Sequence, residues 1–160
     1  MADFAIRPAA ASDLVAIGRL GALLVAEHHA FDAKRFLPPS PSIEQHYAEF
    51  IGRQLGKPDV IVLVADRDGV VLGYIYAGLE GPDFMALRGP AGAIYDIIVD
   101  DGARHQGLAG ALLEAAFAAL AAKGAPRVLL STAHKNVGAQ NLLERAGFRR
   151  TMIEMTRELD

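Results

Sequence analysis

The sequence predicts a mixed α/β domain, a sheet with helices on both faces. Three observations carry that prediction. Asp68-Gly69 separates two β-rich runs and marks an antiparallel hairpin in the first half. Strand and helix patterns alternate from Ala93 onward, which implies crossovers in the second half. Apolar residues at helical spacing, first Leu14, Ile17, Leu20, Leu23 and Leu24, supply faces to cover the sheet.

Taken in order, Asp3–Arg7 alternates apolar and polar residues and reads as a strand that Pro8 ends, since proline cannot donate to a ladder. A first helix runs from Ser12 to about Glu27. Phe31–Pro41 is a loop stiffened by Pro38, Pro39 and Pro41. Ser42 and Gln45 form a capping box that opens a second helix, with Ile43, Tyr47, Phe50, Ile51 and Leu55 as its apolar face. Val60–Ala65 and Val70–Ala77 form the hairpin. Gly78–Gly92, rich in glycine and proline, reads as a long loop, and Ala93–Val99 as the next strand. Leu108–Lys123 is a helix with Leu108, Leu112, Leu113, Ala116, Phe117 and Leu120 inward, stopped by Gly124. Arg127–Ser131 is a strand, Val137–Ala146 a short helix, and Phe148–Leu159 the final strand or two.

The chain of 160 residues suits one domain, 1–160, with no linker or repeat. There are no cysteines, which excludes disulfides, thiol catalysis and cysteine-based metal sites. His28, His29 and His46 lack the spacing of a metal site, so no metal is expected. With 16 basic and 19 acidic residues the net charge is −3, which disfavours a nucleic-acid partner. No run reaches the length expected of a membrane helix, and Met1–Pro8 lacks the basic start of a signal peptide. The expected location is the cytoplasm.

Chemistry concentrates in Ile94–Leu113, where a strand runs through a glycine-bearing loop into a helix. The first amides of a helix have no internal acceptor, and the helix dipole makes them attractive to phosphate. Gly102 and Gly107 allow a sharp turn and close ligand approach, and Arg104 and His105 add cationic side chains. Neither a dinucleotide fingerprint nor a P-loop is present.

Arg104-His105-Gln106-Gly107-Leu108-Ala109 resembles the Arg/Gln-x-x-Gly-x-Gly/Ala signature of the GNAT superfamily of N-acetyltransferases. Phe4-Ala5-Ile6-Arg7-Pro8 followed by Ser12-Asp13-Leu14 resembles that family's opening. Asn136-x-x-Ala139-x-x-Leu142, then Gly147-Phe148, resembles its late block. The resemblance implies a mixed, mostly antiparallel six- or seven-stranded sheet, splayed between strands 4 and 5. It implies acetyl-CoA as co-substrate and direct transfer to an amine of a small molecule, peptide or protein. Backbone groups of Ile97, Ile98 and Val99 would pair with the pantetheine arm. Amides of Arg104, His105, Gln106, Gly107, Leu108, Ala109 and Gly110 would hold the pyrophosphate. Asn136 and Ala139, at the last helix, and Ser131, ending the fifth strand, would complete the cofactor site. A homodimer is also compatible with the resemblance.

Transfer to an amine needs a base, an oxyanion donor and an acid. Asp96 interrupts an apolar strand and is the candidate base; period-two alternation puts it opposite Tyr95, Ile97 and Val99. Tyr95 is the second catalytic candidate, and a backbone amide near Ile98 or Val99 the oxyanion donor. Leu143 stands where many members of the family carry a tyrosine acid, which leaves open a non-catalytic acyl-CoA-binding regulator. His28, His29, Arg35 and Phe36, with Tyr74 and Tyr76 on one strand face, are the candidate acceptor contacts.

Overall fold

The computed structural model describes residues 3–159, so Met1 and Ala2 of the opening segment, and Asp160, lie outside the described residues. The strands are β1 (Ala5–Pro8), β2 (Val60–Arg67), β3 (Val70–Glu80), β4 (Ala91–Val99) and β5 (Val128–Leu130). The helices are α1 (Leu14–Phe31), α2 (Ile43–Gly52), α3 (Leu108–Ala122) and α4 (Val137–Arg145). Strands follow the order β1-β2-β3-β4-β5. Every pairing is antiparallel except β4 with β5, which the α3 crossover makes parallel.

Both sheet faces are covered, and the strands are apolar on both sides for that reason. Along β2, Ile61 packs with Leu112, Leu113, Ala116 and Leu120 of α3, whereas Val62 and Val64 pack with Ile17 and Leu20 of α1 and Ile51 of α2. The α1 segment corrects one expectation. Ala11–Phe31 is long and apolar enough, by length and composition, to cross a membrane. Here Ile17, Gly18, Leu20 and Gly21 form the buried stripe that docks it on the domain.

Three local expectations are also corrected. The Ser42–Gln45 capping box does not form: Ser42 already has helical backbone angles (φ −90°, ψ −4°), so its hydroxyl caps nothing. Gln45 instead donates to Glu49 at 2.8 Å. The Gly78–Gly92 loop shortens to 81–90, because Gly78, Leu79 and Glu80 pair with Ala93, Gly92 and Ala91. Gly92 serves packing there, since a Cβ would lie 2.9 Å from the Leu120 side chain. The expected final strand is absent among the described residues. The sheet has five strands, and 149–159 forms neither helix nor strand, with Met152, Ile153, Met155 and Leu159 at least 80% exposed.

Arg7 ties β1 to the start of α1 and to β2. Its guanidinium donates to both carboxylate oxygens of Asp13 (2.8 and 2.9 Å) and to Asp66 (2.6 Å). Arg7 holds both carboxyls below the ordinary value of 3.8. A depressed folded value means the stabilisation is full above that ordinary value and is lost as pH falls below it. Arg7→Ala leaves the buried Asp13 without its cation and should destabilise the fold by about 2 kcal/mol at pH 7. Urea titrations at pH 7 and pH 3 check this, with the gap between wild type and variant shrinking at pH 3.

Candidate active site

The sheet splits along β4. Pairing with β5 runs Gly92–Val128, Ala93–Leu129 and Ile94–Leu130 and stops there. From Tyr95 to Val99 that side of β4 has no strand partner. Backbone groups alternate sides along a strand, and the Asp100 amide donates to Leu72 O on β3 (2.8 Å). Ile98 therefore turns its amide and carbonyl to its β3 partner Tyr74, and Ile97 and Val99 turn theirs to the open side. This removes the Ile98 backbone from the expected cofactor contacts and leaves Val99 N–H as the oxyanion-donor candidate.

The loop after β4 exposes the start of α3. His105 (φ 60°) and Gly107 (φ 85°) both adopt left-handed backbone, which only glycine takes without strain. A non-glycine residue held this way points to a functional constraint. Among the described residues, no amide from His105 to Gly110 donates to an acceptor in the chain; the first that does is Ala111, to Gly107 O at 3.0 Å. The split edge and this run of free amides lie at the two ends of one loop.

The Arg104 side chain departs from expectation. Its Nε donates to Val99 O (3.2 Å), and its guanidinium pairs with Glu27 and with Asp101 (2.9 Å). Its amide is also engaged, with Asp101 O. Arg104 braces the loop against α1 and β4 because two acids outcompete a ligand position for it. Gln106 accepts from Arg67 (2.8 Å), and Leu108 is buried in the core, so both offer the site only their amides. On the opposite wall Ser131 is exposed, and Asn136 caps α4 by accepting from Ala139 N at 3.1 Å. That cap occupies the Asn136 oxygen and the Ala139 amide and leaves the Asn136 NH2 available.

A pocket of about 520 Å³ opens between α2 and the sheet. Ile43, His46, Tyr47 and Phe50 of α2 form one wall, and Tyr76, Tyr95 and Asp96 the other. The α2 residues recur at i, i+3, i+4 and i+7, a single helix face. Sequence periodicity gives this helix an apolar face of Ile43, Tyr47, Phe50, Ile51 and Leu55, of which only Ile51 is fully buried. His46 is a pocket residue that the sequence reading missed, although its place on the same stripe was a usable signal.

A β-bulge decides which residues share the pocket. Tyr76 pairs with Asp96 and Ala77 with Ile94, so Tyr95 is the extra residue. The alternation that would have put Tyr95 opposite Asp96 breaks, and both reach the α2 side. Close packing of α1 on α2 positions the other wall. A Cβ at Gly18 would lie 2.4 Å from the Glu44 carbonyl, and one at Gly21 would lie 2.3 Å from the Tyr47 ring. These glycines let Tyr47 sit over α1.

Among the described residues, Asp96 is the only carboxylate lining the pocket. Burial raises its pKa above the ordinary value, against the Tyr74 hydroxyl, which donates at 3.0 Å, and the charge of nearby His28. Tyr74 corrects an expectation: it is fully buried and lines no cleft, but it orients Asp96. Burial also raises the Tyr47, Tyr74, Tyr76 and Tyr95 hydroxyls, so all stay protonated donors at neutral pH. Tyr95 donates to Glu80 (2.7 Å), which also pairs with Arg88.

The His28, His29, Arg35 and Phe36 cluster forms, but it is occupied with itself and lines no part of the pocket. His28 Nδ1 donates to Leu24 O (2.8 Å) and His29 Nδ1 to Phe36 O (3.1 Å). Arg35 covers the Phe36 ring and pairs with Glu154. Only His28 acts on the site, through its charge on Asp96. Leu143 is buried in the core and offers no proton.

A sheet split beside an amide-lined helix start, with a carboxylate-bearing pocket across it, is the arrangement expected of the acetyltransferase fold that the sequence resembles. The chain belongs to the acetyltransferase (GNAT) family, whose sequence profile matches residues 24–148. It is 36% identical over 97 residues to a mycothiol acetyltransferase of Cellulomonas flavigena, covering 58% of this chain and 28% of that one. The chain thus spans less than a third of the length of the curated relatives it matches. It superposes with a TM-score of 0.77 and 19% identity on an aminoglycoside N-acetyltransferase in complex with CoA, covering 98% of this chain and 94% of that one. A transcriptional regulator from Bacillus halodurans gives a TM-score of 0.75 at 17% identity, covering 98% and 99%. At these structural identities the likeness is one of fold.

Proposed function

We propose that this chain moves an acetyl group from acetyl-CoA to an amine of a small molecule, peptide or protein, in the cytoplasm, with Asp96 as base. The observation that carries the reading is Asp96, held by Tyr74 in an aromatic pocket on the strand whose other edge is split open. The free amides of His105–Gly110 suit a pyrophosphate, and the open backbone groups of Ile97 with the Val99 amide suit the amide-bearing pantetheine arm, the Val99 carbonyl being held by Arg104. Asn136, Ala139 and Ser131 would face that arm from the other wall. When bound, acetyl-CoA supplies an activated acyl group on a thiol leaving group.

The chain's own part is acid–base and positional. An ammonium has no lone pair, so the Asp96 carboxylate takes a proton from the incoming amine. Tyr74 fixes the carboxylate, and Val99 N–H is the donor for developing negative charge on oxygen. The buried Leu143 favours solvent as the proton source for the leaving thiolate; it also gives a second reading, a non-catalytic acyl-CoA-binding regulator, its specific support. Calorimetry with acetyl-CoA, CoA and ATP, followed by thiol release across an amine panel, separates the readings. CoA-selective binding with turnover is the expected result. Binding without turnover selects the regulator, and equal affinity for ATP overturns both.

We further propose a homodimer joined through the C-terminal segment. Its Ile153 and Met155 are more than 80% exposed, and β5 is paired on one side only. An exposed apolar segment without secondary structure and an unpaired strand edge on one chain can complement each other across two copies by strand addition. Light scattering should give twice the chain mass for wild type and a single mass for the double variant Ile153→Asp, Met155→Asp. A monomeric wild type overturns the dimer.

A further inference from the structure

The pocket lining also reads as a statement about the acceptor, and this inference rests on the acetyltransferase reading above. We propose that the acceptor is a primary amine with a single positive charge carried on an aromatic or bulky apolar body, as in an arylalkylamine.

Three observations lead there. First, the walls are rings in contact. Phe50 meets Tyr76 edge-on with centroids 5.9 Å apart, and Tyr76 meets Tyr95 at 4.8 Å. Such a wall takes an aromatic body by stacking or edge contact and attracts a cation to its faces. Second, one of the three lining tyrosine hydroxyls is engaged elsewhere: Tyr95 donates to Glu80, outside the pocket, which leaves those of Tyr47 and Tyr76 among the rings. Phe50 and Tyr95 remain 43% and 44% exposed, apolar surface that an occupant would cover. Third, among the described residues the lining holds a single carboxylate, Asp96.

The charge count is decisive. One ammonium of an acceptor can sit by Asp96 and hand over its proton there. Each further ammonium of a polycation would lie in the pocket without a carboxylate to pair with, and a polyhydroxylated sugar would find only the Tyr47 and Tyr76 hydroxyls and His46 to replace the water it loses. An anionic acceptor would meet Asp96 with the wrong sign. The volume of about 520 Å³ accommodates a small molecule of modest size.

The test is acetyl-CoA-dependent turnover of 2-phenylethylamine and tryptamine against kanamycin, spermidine and ethanolamine, with amine binding to the CoA-loaded protein followed in parallel by thermal shift. The expected result is a kcat/KM for the arylalkylamines at least about 10-fold above the others. Phe50→Ala should raise KM for 2-phenylethylamine about 10-fold and cut its kcat/KM advantage over ethanolamine by about the same factor, because Phe50 touches the body and not the reacting nitrogen. Preference for kanamycin or spermidine overturns the inference, as does a Phe50→Ala variant that loses both substrates equally. If no amine turns over, the acetyltransferase reading fails on its own, and binding decides here: a shift with arylalkylamines alone upholds the pocket's specificity, and no shift with them overturns it.

Discussion

Gly107→Glu weakens binding of CoA and acetyl-CoA by about 100-fold or more while the protein still folds, the loss of several charge-assisted hydrogen bonds together. Among the described residues the amides from His105 to Gly110 have no acceptor, and a carboxylate built at their centre occupies them itself while repelling a pyrophosphate. Gly107 has φ 85°, so any side chain there adds backbone strain. Gly107→Ala carries the same strain without the charge and isolates it. Gly110→Glu is the complementary variant: a Cβ at Gly110 meets nothing within 4 Å, and a carboxylate in the first turn stabilises a helix. Calorimetry on all three, with circular dichroism for the fold, should show binding lost in both Glu variants and largely kept in Gly107→Ala. Unchanged affinity in folded Gly110→Glu would move the phosphate site away from α3.

Asp96→Asn lowers kcat/KM by about 1000-fold, within the range of a lost general base. Asparagine keeps an oxygen to accept from Tyr74, so the pocket geometry survives while the proton acceptor is gone. The wild-type rate should rise with pH through a group above the ordinary carboxylate range, and the variant should lack that limb. Stability should move the other way. The folded pKa of Asp96 is raised by burial, so the stability it contributes is full below the ordinary value of 3.8 and is lost as pH rises through the folded value. The neutral amide avoids that loss, so the variant should melt higher than wild type at pH 7. A variant that keeps its pH–rate profile, or melts lower at pH 7, would make Asp96 a structural carboxylate.

Much of this arrangement was legible in the linear sequence. The Arg104–Ala109 signature located the α3 start, because a left-handed Gly107 and a free helix terminus depend on a few adjacent residues. Asp96 stood out as a charged residue in an apolar strand. The His28–Phe36 cluster stays outside the α2 pocket for a different reason. His28, His29, Arg35 and Phe36 are chemically suited to ligands, but their partners are carbonyls and Glu154 brought close by folding. The pocket was built instead from the α2 stripe, whose apolar residues look the same whether they face a core or a cavity.

Sequence by itself determined the local features: the hairpin turn, the helix periods, the glycine-opened helix and the carboxylate of β4. Each depends on neighbours a few positions apart, where backbone sterics and side-chain period act directly. Tertiary structure alone decided that the Tyr95 bulge turns two successive residues to one side, that Gly18 and Gly21 bring α2 against α1, and that Arg104 is spent on Glu27 and Asp101. It also left the last segment without a strand partner in its own chain. Those outcomes are set by contacts between residues far apart in the chain, where packing distance and the competition among charged partners decide the result.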